Sequence, residues 1–225
     1  EELVQYELGW KASGLDGRGS LTAALFYSNY NDRIYQYVVP NPDGSGTLME
    51  ALLNVGDSTQ KGLEFEASFQ ANEFLQISGS VGWVDATWDN GTMVGDLDLS
   101  GKETSNVVTE SWNLSVNYAR PLDNGFELIA DLQLSHRGEQ DGGAPWDTLT
   151  NSSFKVMDVQ VGLQNDRWEL MLNIDNLTGE DYYTDLEPFD NFSFNGLTGG
   201  GEPARIAIGT LGQPRVVTAS VSYSF

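Results

Sequence analysis

Few residues in this chain are equipped for chemistry, and most lie outside its regular parts. His136 is the single histidine and has Ser135 beside it. Neighbouring strand residues point to opposite faces, so these two cannot form a Ser–His pair. A hydrolase would need Asp or Ser from another strand to meet His136, and no catalytic residue is assigned. Asp181, Asp185, Glu187 and Asp190 gather carboxylate oxygens of the kind Ca²⁺ takes, but their spacing matches no calcium-loop signature. Solvated acidity is the better account, and no metal site is assigned. Trp88, Trp146, Tyr182, Tyr183, Phe189, Phe192 and Phe194 lie in or beside long links. Rings so placed either stack on an organic ligand or pack the loops against one another. Trp88, Trp146, Tyr182, Tyr183 and Phe189 are the candidate ligand contacts, with Arg205 as the cation an anionic ligand would need. Arg215 belongs with the structural ending of the chain.

Composition narrows the classes. With 33 acids against 11 bases the net charge is −22, which argues against nucleic acid and anionic membrane surfaces as partners. Cysteine is absent, so there is no disulfide framework. No apolar stretch approaches the roughly 18 residues of a membrane helix, which leaves a β-barrel open. The chain opens on Glu1 with neither Met nor signal peptide, and the expectation is that this terminus is a boundary within a longer protein.

The elements that must position these residues are strands. Nine runs alternate apolar and polar residues: Val4–Trp10, Leu21–Tyr27 (continuing irregularly to Val39), Leu63–Phe69, Leu75–Trp83, Trp112–Tyr118, Phe126–Leu134, Met157–Leu163, Trp168–Ile174 and Val217–Phe225. A period of two gives each run one apolar and one polar face. Phe26, Ile129, Val156 and Met171 break the pattern by standing on the polar face. Short links around Ser13–Arg18, Ala71–Glu73, Arg120–Gly125 and Asn165–Arg167 alternate with long ones around Pro40–Gly46, Asp89–Asn106, Glu139–Ser152 and Asn176–Gln213. Tight turns at one end and long loops at the other are the layout of an outer-membrane barrel.

Alternation alone fits a soluble antiparallel sandwich equally well. Two observations separate the readings. Trp10, Phe69, Tyr118, Phe126, Trp168, Tyr223 and Phe225 stand on the apolar face beside the short turns, as an interfacial girdle does and a sandwich core does not. The opposite face is rich in Gln, Ser, Asn, Glu and Gly, as a wet lumen would be. Tyr27, Trp83 and Trp112 are candidates for an outer girdle. The expected fold is an all-β, antiparallel transmembrane barrel piece of about nine strands.

Three segments then resemble one family. Asn173-Ile174-Asp175-Asn176-Leu177-Thr178-Gly179-Glu180-Asp181-Tyr182-Tyr183 is similar to the N-L-x-D/N-x-x-Y element of TonB-dependent outer-membrane receptors, with Gly179 where Asp or Asn is common. Gly212-Gln213-Pro214-Arg215 through Ser222-Tyr223-Ser224-Phe225 resembles that family's G-x-P-R…Y-x-F close. Asn54-Val55-Gly56 to Lys61-Gly62-Leu63-Glu64-Phe65-Glu66 resembles its N-x-G…K-G-x-E-x-E element. The resemblance implies a Gram-negative outer-membrane barrel of about twenty-two strands around an N-terminal plug, of which residues 1–225 would be the C-terminal portion, the plug and earlier strands lying outside them. It implies transport rather than catalysis and no cofactor. The partners it implies are TonB acting through the plug, an iron–siderophore or other scarce nutrient, outer-membrane lipid, and the barrel-assembly machinery at the C-terminal strand. The rival functions are a passive porin and, further off, a soluble sugar-binding β-domain.

Overall fold

A computed structural model describes residues 1–41, 43, 47–94, 97–142, 149–190 and 205–225; the side chains of 35–40, 48, 50, 51, 53, 187–190, 205 and 206 lie outside that description. Its elements are β1 (Glu2–Gly14), β2 (Gly19–Pro40), β3 (Leu48–Asn72), β4 (Leu75–Trp88), β5 (Met93–Val94), β6 (Leu97–Asp98), β7 (Glu110–Pro121), β8 (Glu127–Arg137), β9 (Gln140–Asp141), β10 (Thr150–Asn151), β11 (Phe154–Gln164), β12 (Trp168–Asp175), β13 (Tyr183–Asp190), β14 (Arg205–Leu211) and β15 (Val216–Tyr223). Nine of them form one antiparallel meander in the order β1-β2-β3-β4-β7-β8-β11-β12-β15. These are the nine alternating runs. The sheet is open, with β1 and β15 as its edges.

Local chemistry builds the tight ends. In three of the four short turns an Asn side chain accepts the backbone N–H two residues on: Asn72 from Phe74, Asn124 from Phe126 and Asn165 from Arg167. This Asx turn is why Asn recurs there. The fourth turn, between Gly14 and Gly19, runs through Leu15, Asp16 and Gly17, all at positive φ.

The long ends differ from the expected open loops. Pro40–Gly46 is only the tip of a hairpin, because β2 runs 22 residues to Pro40 and β3 takes 25 residues from Leu48. A barrel strand needs about 9–11 residues to cross a bilayer, so this ribbon extends well past one. Period two is missing over 48–62 because a ribbon beyond the bilayer has no lipid face to impose it; backbone pairing and the packing of Val55 against Trp88 and Leu99 hold it instead. The other three long links carry the small hairpins β5–β6, β9–β10 and β13–β14.

The molecule has almost no ordinary core. The buried hydrophobic side chains among the described residues are Val55, Ala86, Trp88 and Leu99. The accessible surface is 14397 Å², against about 10,000 Å² for a globular protein of this mass. Leu25, Leu63, Val161, Leu172 and Val221 on the apolar face are all exposed. A soluble sandwich would cover that face with a second sheet; among the described residues none covers it.

Candidate functional site: the aromatic belt and the outer mouth

The apolar face carries its aromatics beside the tight turns. Trp10, Phe69, Trp168 and Tyr223 are exposed, while Tyr118 and Phe126 are half-buried. Trp168 and Tyr223 are register partners across β12 and β15, with ring centroids 4.7 Å apart. Phe225 meets Tyr223 edge-on at 5.1 Å. Arg18 lies 5.9 Å above Phe69 and Arg120 5.6 Å above Phe74, cations at a polar boundary covering aromatic faces.

The other end of this face has its own rim. Lys61 pairs with Asp85 at 3.0 Å, and Lys155 lies 5.9 Å above Trp112. His136 stacks 5.4 Å from Trp112, its Nδ1 3.0 Å from the Phe154 carbonyl and its Nε2 3.1 Å from Glu110 Oε1. Ser135 Oγ instead donates to the Val156 carbonyl at 3.5 Å. The histidine therefore joins strands, linking β8 to Phe154 of β11 and to Glu110 and Trp112 of β7.

Two of the motif segments meet at Asn176, which is 1% exposed. Its Nδ2 donates to the carbonyls of Glu180 at 2.8 Å and Gln213 at 3.0 Å, while its Oδ1 accepts the Glu180 N–H at 2.9 Å. Its own N–H reaches Asp158 Oδ1 at 2.8 Å. Arg215 Nη1 donates to the Leu177 carbonyl at 3.5 Å. The N-L element and the G-x-P-R element thus form one clamp at the base of the β13–β14 hairpin. Asn suits the centre because φ is 49° there, a left-handed conformation that Asn tolerates better than most side chains.

The third motif holds tight backbone contacts. Gly56 has φ 146°, and a Cβ there would lie 2.8 Å from Thr92 Oγ1. Phe26 closes over Gly62, where a Cβ would meet its ring and the Trp83 carbonyl at 2.4 Å each. Met171 and Ile129 flank Gly162 as register partners. Two of the four residues that break the alternation, Phe26 and Met171, therefore cover a cross-strand glycine on the polar face, and a third, Ile129, is the register partner of such a glycine. Sequence reading missed this; the available signal was a large apolar residue out of phase in one strand and a glycine in phase in its neighbour.

The loop candidates separate in the structure. Trp88 is 2% exposed and packs with Val55 and Leu99, so its indole is loop core and presents no face to a ligand from outside. Tyr182 stacks on Phe154 at 4.2 Å and lies over Gly212. Tyr183 is exposed and lies over Gly209. Trp146, Phe192 and Phe194 fall outside the described residues, as do the side chains of Phe189 and Arg205; in the β13–β14 register Phe189 faces Ile206 and Asp190 faces Arg205. Asp181 and Asp185 are exposed, and among the described residues no group of three metal-binding side chains forms. In the β5–β6 hairpin, hydrogen bonds from the Ser100 hydroxyl and N–H hold the Asp98 carboxyl below its ordinary pKa.

Residues 1–177 match the family model described as the TonB dependent receptor-like β-barrel. The chain belongs to the TonB-dependent receptor β-barrel family. Solved receptors of similar fold include the ferric yersiniabactin uptake receptor FyuA from Yersinia pestis, at TM-score 0.73 and 19% identity over 99% of this chain and 30% of that one. The siderophore receptor PiuA from Acinetobacter baumannii gives TM-score 0.69 and 20% identity over 98% of this chain and 28% of that one. The copper transporter OprC gives TM-score 0.65 and 16% identity over 99% and 31%. The chain thus spans about 30% of the length of FyuA. No curated protein sequence matches it. Its open sheet is a part of the receptor barrel, and its family is one of transport receptors.

Proposed function

We propose that this chain is the C-terminal portion of a TonB-dependent receptor barrel in the outer membrane of a Gram-negative bacterium. The whole protein takes up a scarce nutrient, an iron–siderophore complex above all. The observation that carries the reading is the nine-stranded meander with an uncovered apolar face bordered by aromatics at its tight turns. Such a face is stable only against lipid. The polar face is then the lumen wall, and the ribbons on the far side form the external surface where cargo is met. Of the three receptors named above, one is described as a siderophore receptor and one as a ferric yersiniabactin uptake receptor, which supports iron–siderophore cargo over other nutrients. TonB acts through the plug, and β15 with Phe225 is the strand presented to the assembly machinery.

The test is uptake of radio-iron, supplied on a panel of siderophores, by cells carrying or lacking the full-length gene. Uptake of at least one chelate should require both the gene and an intact TonB. Gene-dependent uptake that persists without TonB would identify a passive channel instead.

A further inference from the structure

The outer mouth holds a cation that sequence reading passed over. The β2–β3 register shifts on both sides of Arg33, and Asp32 takes φ 52° at that bulge. Just below it Tyr30, Ser58 and Trp88 are register neighbours on three successive strands. By parity they share the polar face with Gly62 and Glu64. The Arg33 guanidinium lies 5.1 Å from the Trp88 ring centroid and 5.5 Å from that of Tyr30, and its Nη1 donates to Ser58 Oγ at 3.4 Å. Arg33 therefore turns to the polar face at its outer end, where it is half-buried.

Among the described residues no carboxylate pairs with Arg33. The neighbouring acids are engaged elsewhere: Asp57 Oδ1 accepts the Asp32 N–H, and Asp89 Oδ1 accepts the Thr59 hydroxyl. Arg137 is committed to the Thr184 carbonyl and Gln140 Oε1, and Arg215 to the Leu177 carbonyl. A guanidinium carries five N–H donors in a planar fork, and among the described residues one of them is used here. Two rings hold the fork, so little conformational freedom is left to lose when an acceptor arrives.

We propose that Arg33 is an anion-binding fork at the mouth of the passage, taking a carboxylate of the cargo in bidentate fashion. The chain carries −22, so a carboxylate approaching the mouth meets a repulsive field and needs a fixed cation to dwell there. Tyr30 and Trp88 are positioning residues, and the buried indole thereby has a part in recognition without touching the ligand. This rests on the reading of the polar face as the lumen wall.

The test is calorimetric titration of the full-length receptor in detergent with tricarballylate, a metal-free tricarboxylate, beside its uncharged triamide. Wild type should bind the tricarboxylate saturably and the triamide not at all. Arg33→Gln should weaken binding about tenfold or more. Arg33→Lys keeps the charge and ring contacts but lacks the fork, and should weaken it several-fold. No saturable binding to wild type overturns the proposal, and so does wild-type affinity in either variant. If Arg33→Gln does not fold, Arg33→Lys decides. Titration needs neither TonB nor transport, so failure of the uptake reading shows in the iron assay alone.

Discussion

Replacing Asn176 should open the last external hairpin without unfolding the sheet. The Ala variant loses three side-chain hydrogen bonds, two donated to the Glu180 and Gln213 carbonyls and one accepted from the Glu180 N–H. At a net of about 1 kcal/mol each this is about 3 kcal/mol. Ala must also hold φ 49°, which costs roughly 1 kcal/mol more, for a total near 4 kcal/mol. Asn176→Gly removes the same bonds but accepts the φ, so it should cost about 3 kcal/mol by the same count. The order is therefore Ala worse than Gly, and both much worse than wild type. Amide hydrogen exchange on the detergent-held full-length receptor reads this through peptides spanning Asn176–Tyr183. Exchange there should accelerate up to about a thousandfold in Asn176→Ala, because every 1.36 kcal/mol is a factor of ten. The Gln164–Trp168 turn, at the opposite end of β11 and β12 from the site, should keep its protection. Wild-type exchange at Glu180 in both variants would refute the clamp. Equal acceleration in the two would remove the backbone contribution.

Three further outcomes test the faces and the glycine contacts. Leu170→Arg and Leu128→Arg flank Leu163 in register on the apolar face and should each cost roughly 2–4 kcal/mol of assembly. Gln160→Arg, on the polar face, should be tolerated, and equal loss of heat-modifiable folded protein in all three would sink the face assignment. The three atoms nearest a Cβ on Gly212 all belong to the Tyr182 ring, the first at 2.1 Å. Gly212→Ala should thus raise proteolysis of the last hairpin and Tyr182→Ala/Gly212→Ala should lower it again; no rescue would show that the ring is not the obstacle. In vesicles containing brominated lipid, Trp10 and Trp168 should be quenched and Trp88 should not, read with single-tryptophan variants. A quenched Trp88 would contradict its burial in the loop.

Much of the architecture was legible because a bilayer imposes a simple rule on sequence. One face of every crossing strand must be apolar, so Leu128, Leu163, Leu170 and Val221 announce themselves by period two, and all nine crossing strands could be read from it. Aromatics beside tight turns marked the boundary for the same reason. The ribbon over 48–62 was not legible, because no lipid face imposes period two there and Val55 is buried by Trp88 and Leu99 from distant parts of the chain. Phe26, Ile129 and Met171 read as noise until their glycine partners on neighbouring strands came into view.

The sequence by itself determined the nine strands of the main sheet, its apolar and polar faces and the family, since each rests on local periodicity or on a contiguous motif. Only the tertiary structure decided what the single residues do. Asn176 and Gln213 are far apart along the chain, yet one amide clamps them together. Trp88, a candidate ligand contact by its place in the chain, is buried and backs Arg33 instead. Cross-strand register brings those groups together, and register depends on bulges and turns that no short window of sequence contains.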